Sequence, residues 1–140
     1  VPCGNKLGEC PIWDDTRQLL CWIDIQGRRF WQHEPSSGVG NATSFELPAR
    51  PGSFCISEGS EYVFAFEDGF AFFDVDSGQL LRITDSFEPE LGRTRLNDGR
   101  VDTRGRFVVA GCVEKGQEPL SAVYRLGTDL SVEQLRGGVC

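Results

Sequence analysis

The sequence predicts an all-β protein built from repeating four-stranded sheets, and three observations lead there. Short runs of aromatic and β-branched residues recur between Gly, Asp and Ser turns. No segment sustains a 3.6-residue apolar period over three turns, so long helices are not expected. The apolar runs also return at a regular offset. Leu19, Tyr62 and Phe107 each open the second strand of a unit, at a spacing of about 44 residues, which is the length of a propeller blade.

The first unit, about 7–47, contains Trp13-Asp14-Asp15 and the apolar run Leu19-Leu20-Cys21-Trp22-Ile23. A polar turn at Gln26-Gly27-Arg28 leads into Arg29-Phe30-Trp31-Gln32. The second, about 50–84, holds Gly52-Ser53-Phe54-Cys55-Ile56, then Tyr62-Val63-Phe64-Ala65-Phe66. A turn at Asp68-Gly69 precedes Phe70-Ala71-Phe72-Phe73, and Ser77-Gly78 precedes Gln79-Leu80-Leu81-Arg82-Ile83. The third, about 95–136, runs from Asn97 through Arg106-Phe107-Val108-Val109-Ala110. After a longer polar loop it continues as Ser121-Ala122-Val123-Tyr124-Arg125-Leu126 and closes with Val132-Glu133-Gln134-Leu135. Each unit thus supplies about four short strands, and the 17 glycines and 7 prolines are spread out as turn formers.

A propeller has roughly 4–8 such blades, so three units are too few to close a ring. The remaining blades are expected beyond Cys140, and residues 1–140 read as the N-terminal half of a single propeller domain. A β-sandwich of the same strands is the structural alternative, but it leaves the regular offset unexplained.

Bulk properties narrow the function. A net charge of −7 argues against a nucleic-acid surface, which needs clustered Lys and Arg. No apolar stretch approaches the roughly 20 residues that cross a bilayer, so no membrane partner is expected. The six cysteines form no CxxC pair, and Cys21 and Cys112 read as small buried hydrophobes. With no signal-like apolar run at Val1, a reducing, cytoplasmic compartment is the expectation.

Candidate chemistry must rest on carboxylates, amides and arginine. His33 is the only histidine, set in the polar stretch Gln32-His33-Glu34-Pro35, and reads as solvent-facing. That leaves no Ser-His-Asp triad or HExxH helix. Glu9 follows Gly8 before an apolar strand end. It is either a solvated strand-start residue or an oxygen ligand for a hard divalent cation. Asn97-Asp98-Gly99 has a plain reading as a tight turn. Yet Arg95 stands two positions before Asn97, and strand alternation puts both on one face, where a fork and an amide could hold a hydroxylated or carbonyl substrate. Glu9 and Asn97 stand about 88 positions apart, two blade lengths. They are expected, with Ser53 between them, at one central mouth.

At these residues the chain resembles the senescence marker protein, regucalcin and gluconolactonase family. The shared signatures are Gly-Glu-x-Pro-x-Trp, here Gly8 to Trp13, and Arg-x-Asn-Asp-Gly-x-x-Asp-x-x-Gly-Arg, here Arg95 to Arg106. Trp22-Ile23-Asp24-Ile25 is similar to that family's second strand. The resemblance implies a six-bladed β-propeller that binds one divalent metal ion, such as calcium or zinc, with manganese and magnesium also in range, and hydrolyses a sugar lactone. It implies Glu9 as a metal ligand and Arg95 and Asn97 as substrate contacts, with Asn97 close to the metal. Two further ligands and the general base are expected beyond Cys140, so the chain alone is expected to be inactive. An acid that contacts substrate follows the third blade's second strand in that family. Glu114 lies near that place, about one residue out of the family's spacing. The alternatives are a related propeller hydrolase for other esters or phosphotriesters, and a calcium-binding regulatory protein.

Overall fold

A computed structural model describes residues 1–140 except Val39, Ser60 and Pro89. The described residues form three four-stranded antiparallel sheets, each in simple up-and-down order, with a short 3-10 turn at Pro35–Ser37. Consecutive strands pair within their own sheet. That is the organisation of β-propeller blades, and three blades are present. None of the described residues form a helix long and apolar enough to cross a membrane. The chain divides into two compact units, Val1–Pro51 and Gly52–Cys140.

The first unit is one sheet: β1 (Gly8–Asp14), β2 (Leu19–Asp24), β3 (Arg29–His33) and β4 (Ala42–Glu46). Cys21, Ile23 and Phe30 are wholly buried on one face, while Trp22 and Trp31, cross-strand neighbours, stack on the other with centroids 5.9 Å apart. Aspartates close its turns. Asp14 accepts the Arg17 amide at 2.9 Å, and Asp24, only 4% exposed, accepts the amides of Lys6, Leu7 and Gly27. His33 overturns the solvent-facing expectation. It is buried, and its Nδ1 donates to the Asn41 carbonyl at 2.8 Å. Alternation puts it on the face of Trp31, where it lies across from Leu20 and is covered although its sequence neighbours are polar.

The second unit holds two sheets. β5 (Pro51–Ile56), β6 (Glu61–Phe66), β7 (Gly69–Asp74) and β8 (Leu80–Arg82) form one. The other comprises β9 (Thr94–Val101), β10 (Phe107–Val113), β11 (Ser121–Leu126) and β12 (Val132–Val139). Phe64 sits on one face of the first of these, within ring contact of Phe54, Phe66 and Phe73. The opposite face, with Val63, Ala65 and Phe70, packs onto Leu96, Phe107, Val109, Tyr124 and Leu126 of its partner sheet. Val108, Ala110 and Val123 alternate with these residues and are only half-buried. No disulfide joins the six cysteines; Cys21 is buried, whereas Cys112, expected as a buried hydrophobe, is half-exposed.

β5 and β9 touch through backbone. A Cβ at Gly52 would lie 2.4 Å from the Leu96 carbonyl oxygen and 2.7 Å from that of Asn97. Backbone oxygens cannot swing aside as a flexible side chain can. Gly52→Ala is therefore expected to cost about 1–3 kcal/mol, the range for overpacking, read from urea unfolding. Wild-type stability in that variant would show that the two strands can part freely.

Candidate functional site

β9 is a strand with an interruption. Val109 pairs with Gly99 and Gly111 with Leu96, so Asn97 and Asp98 together face Ala110 alone. Asn97-Asp98-Gly99 is thus a β-bulge inside a strand, not the tight turn its composition suggests. Bulges re-aim side chains and occur next to active sites. Here the bulge leaves Asn97 half-buried and Asp98 exposed, just after the buried run Thr94-Arg95-Leu96.

Arg95 is only 9% exposed and sits at the centre of a polar trio. Its Nε donates to Glu114 Oε1 at 3.0 Å, and its Nη1 donates to Asn97 Oδ1 at 2.8 Å and to the Leu96 carbonyl at 3.0 Å. The ion pair with Glu114 is partly shielded, with side chains 11% and 28% exposed. Because guanidinium offers only donors, the Asn97 amide oxygen must face it. Asn97 Nδ2 is thereby turned outward as a donor, and Arg95 Nη2 carries no bond to the described residues. Two donors on side chains bonded to each other suit hydroxyl or carbonyl oxygens.

The structure brings Arg95 and Asn97 together, and it adds Glu114. A readable signal lay in the strand pattern. Arg95 pairs with Cys112, and Glu114 is two residues beyond, on the same side. The ladder continues there, with the Glu114 amide donating to the Arg93 carbonyl at 2.7 Å. A separate cavity in this unit, lined by Cys55, Val63, Phe72, Phe107 and Leu126, includes none of the trio.

The rest of the long motif is structural. Asp102 accepts the amides of Arg104 and Arg106 at 2.9 and 3.0 Å and pairs with the Arg106 side chain. The Arg106 side chain and amide hold its carboxyl down at about 2. Asp98 bonds its neighbours Gly99 and Arg100 at the surface. Ser53 is fully buried with its hydroxyl unpartnered among the described residues, instead of lining an open mouth.

Glu9 belongs to the first unit. It pairs across to Ile23, and the register then slips, with Cys10 and Pro11 both facing Trp22. Cys10 is buried with φ +54°, a conformation uncommon away from glycine. Pro11 lacks the N–H that a bulge would strand. Glu9 is exposed and carries no bond to the described residues, so its carboxylate is free to bind a cation. Both β1 and β9 are bulged, but Glu9 precedes its bulge and Asn97 lies within its own. The spacing of about 88 therefore relates two bulged strands, not two identical register positions. Among the described residues no three His, Cys, Asp or Glu side chains cluster to hold a metal.

Comparison with known proteins gives a consistent result. The profile of the SMP-30/Gluconolactonase/LRE-like region matches residues 7–140. The chain is 38% identical over 135 residues to L-arabinolactonase of Azospirillum brasilense, covering 94% of this chain and 43% of that protein. It is 35% identical over 103 residues to 6-deoxy-6-sulfogluconolactonase of Pseudomonas putida, covering 74% of this chain and 34% of the relative. Among solved structures, a calcium-binding protein, regucalcin, of Agrobacterium tumefaciens superposes with a TM-score of 0.85 at 24% identity, over 96% of this chain and 44% of that one. The chain thus spans less than half the length of these relatives.

Proposed function

The chain belongs to the SMP-30/gluconolactonase/LRE-like family, and from that premise we propose that it is part of a metal-dependent hydrolase of sugar lactones. The observation that carries this reading is the trio itself: a nearly buried guanidinium locked between Glu114 and Asn97, with donors left over. A propeller scaffold has no need of such a group. The lactonases among the relatives support the substrate class.

Arg95 Nη2 and Asn97 Nδ2 donate to hydroxyl oxygens of the sugar and fix the ring. Glu114 holds the guanidinium in place and compensates its charge. Glu9, an unpaired carboxylate, fits one position in the oxygen shell of a hard divalent cation. When bound, such a cation supplies Lewis-acid polarisation of the lactone carbonyl. In the overall step water adds to that carbonyl, the ring C–O bond breaks, and the proton taken from water passes to the departing ring oxygen. We assign the general base to a later blade, outside residues 1–140, so this segment alone is expected to be inactive.

The test uses the intact protein, stripped with EDTA and assayed for acid release from pentono- and hexonolactones. Hydrolysis is expected only when calcium, zinc, manganese or magnesium is restored. Glu9→Gln is expected to weaken cation affinity by at least the roughly 10-fold that losing an outer-shell partner costs, with KM near wild type at saturating cation. Turnover that persists in EDTA would count against the metal-dependent reading. Cation binding without turnover on any lactone would favour a calcium-binding regulatory protein.

A further inference from the structure

The connection between β8 and β9 turns an acid inward. Phe87 stacks on Phe70 with centroids 5.6 Å apart and meets Tyr124 edge-on at 4.8 Å. Docking of that ring carries the next residue, Glu88, between the two sheets of the second unit, where it is 5% exposed. Glu88 Oε1 accepts a short hydrogen bond from the buried Ser121 hydroxyl. Glycine at 111 makes room for this pair. A Cβ there would lie 1.9 Å from Ser121 Oγ, and 3.1 Å from both Glu88 Oε1 and the Arg95 carbonyl oxygen.

The other half of the carboxylate has no such partner. Glu88 Oε2, the Tyr124 hydroxyl and the Thr94 hydroxyl are all buried without a hydrogen bond among the described residues. Burial, then the charge of Glu88 and polar contact with its carboxylate, push the Tyr124 phenol up to about 12, so it stays a neutral hydroxyl beside that carboxylate. No Lys, Arg or His of the described residues pairs with Glu88. A buried carboxylate is normally paired or coordinates a metal, because an isolated charge in an apolar interior is very costly.

We propose that Glu88 and Tyr124, with Ser121 and the Arg95 carbonyl beside them, form an interior site for a monovalent cation, sodium or potassium. The donors are all oxygen, as a hard cation requires. One carboxylate among neutral oxygens balances a single positive charge, whereas divalent ions draw on several carboxylates. A water molecule could satisfy the hydrogen bonds but would leave the charge uncompensated. This site is distinct from the divalent cation assigned to Glu9, and it shares none of its ligands.

The experiment is thermal unfolding of the intact protein in EDTA, at fixed ionic strength, with choline chloride replaced stepwise by sodium or potassium chloride. Wild-type Tm is expected to rise and saturate, by roughly 3 °C or more if the cation binds only the folded state. Glu88→Gln, which keeps the shape and the Ser121 contact, is expected to show no rise. Tyr124→Phe is expected to need more cation for the same rise. In crystals soaked with rubidium, an anomalous peak is expected within contact of Glu88 Oε2. Equal melting in choline, sodium and potassium, the same rise in Glu88→Gln, or no rubidium peak would each overturn the proposal.

Discussion

Replacing Arg95 with alanine in the intact protein is expected to lower kcat/KM for the proposed lactone hydrolysis by about 100- to 1,000-fold, the range seen when one preorganised donor is removed. The size follows from how the side chain is held. It is nearly buried and bonded on two nitrogens, so a substrate meets a donor whose orientation is already set. Its loss also frees Asn97, whose amide is oriented by the same guanidinium. The stability cost should be smaller, about 1 kcal/mol, since the Glu114 side chain is 28% exposed and within reach of water. Arg95→Lys should recover little, because a single ammonium cannot span Glu114 and Asn97 as a planar fork does. Parallel measurement of divalent-cation affinity separates the roles. A large loss of kcat/KM with unchanged cation affinity is the expected pattern, and wild-type kcat/KM in Arg95→Ala would remove Arg95 from the site.

Asp24→Ala is expected to destabilise the first unit by about 2–4 kcal/mol, since hydrogen bonds to charged groups contribute about 1.5–3 kcal/mol each and water recovers part of the loss. Three backbone donors lose one acceptor together: Lys6, Leu7 and Gly27, each at 2.9 Å. Two of them lie in the segment leading directly to Gly8 and Glu9. The variant should therefore weaken divalent-cation binding as well as lower the urea midpoint. pH provides an independent check. Burial works to raise the Asp24 carboxyl, but the three amides outweigh it and hold the group below its ordinary value of 3.8. The unfolded chain then binds the proton more tightly. The stabilisation is complete above that ordinary value and is lost as pH falls through the lower folded value. Asp102, held at about 2 by Arg106, acts in the same direction. Wild-type protein should lose stability as pH drops from 3.8 toward 2, and Asp24→Asn should lose less over that interval. Identical acid profiles would show that the Asp24 bonds contribute nothing to folding.

The blades were legible because their signals are local. Tyr62, Phe64 and Phe66 alternate on one strand and occupy one face in the structure, as a period of two requires. Arg95 and Asn97 were legible as a pair for the same reason. Glu114 was harder to see, because its contact with Arg95 depends on which residue of β10 faces which residue of β9. His33 reads as solvent-facing because its neighbours are polar, whereas its burial on the Trp31 face depends on cross-strand packing and on the Asn41 carbonyl.

What the sequence determined by itself was the all-β class, the blade-sized repeat, and the motifs carrying Glu9, Arg95 and Asn97. Propensity, turn residues and side-chain period all act within a few positions along the chain. The tertiary structure decided that Cys10-Pro11 and Asn97-Asp98 are bulges, that Arg95 is locked by Glu114, and that Glu88 is buried beside Tyr124. Those features arise from register between strands and from the docking of the connection before β9 onto a neighbouring sheet. Both are settled by summed packing across residues distant in sequence, and a one-residue slip in register would exchange the faces of an entire strand.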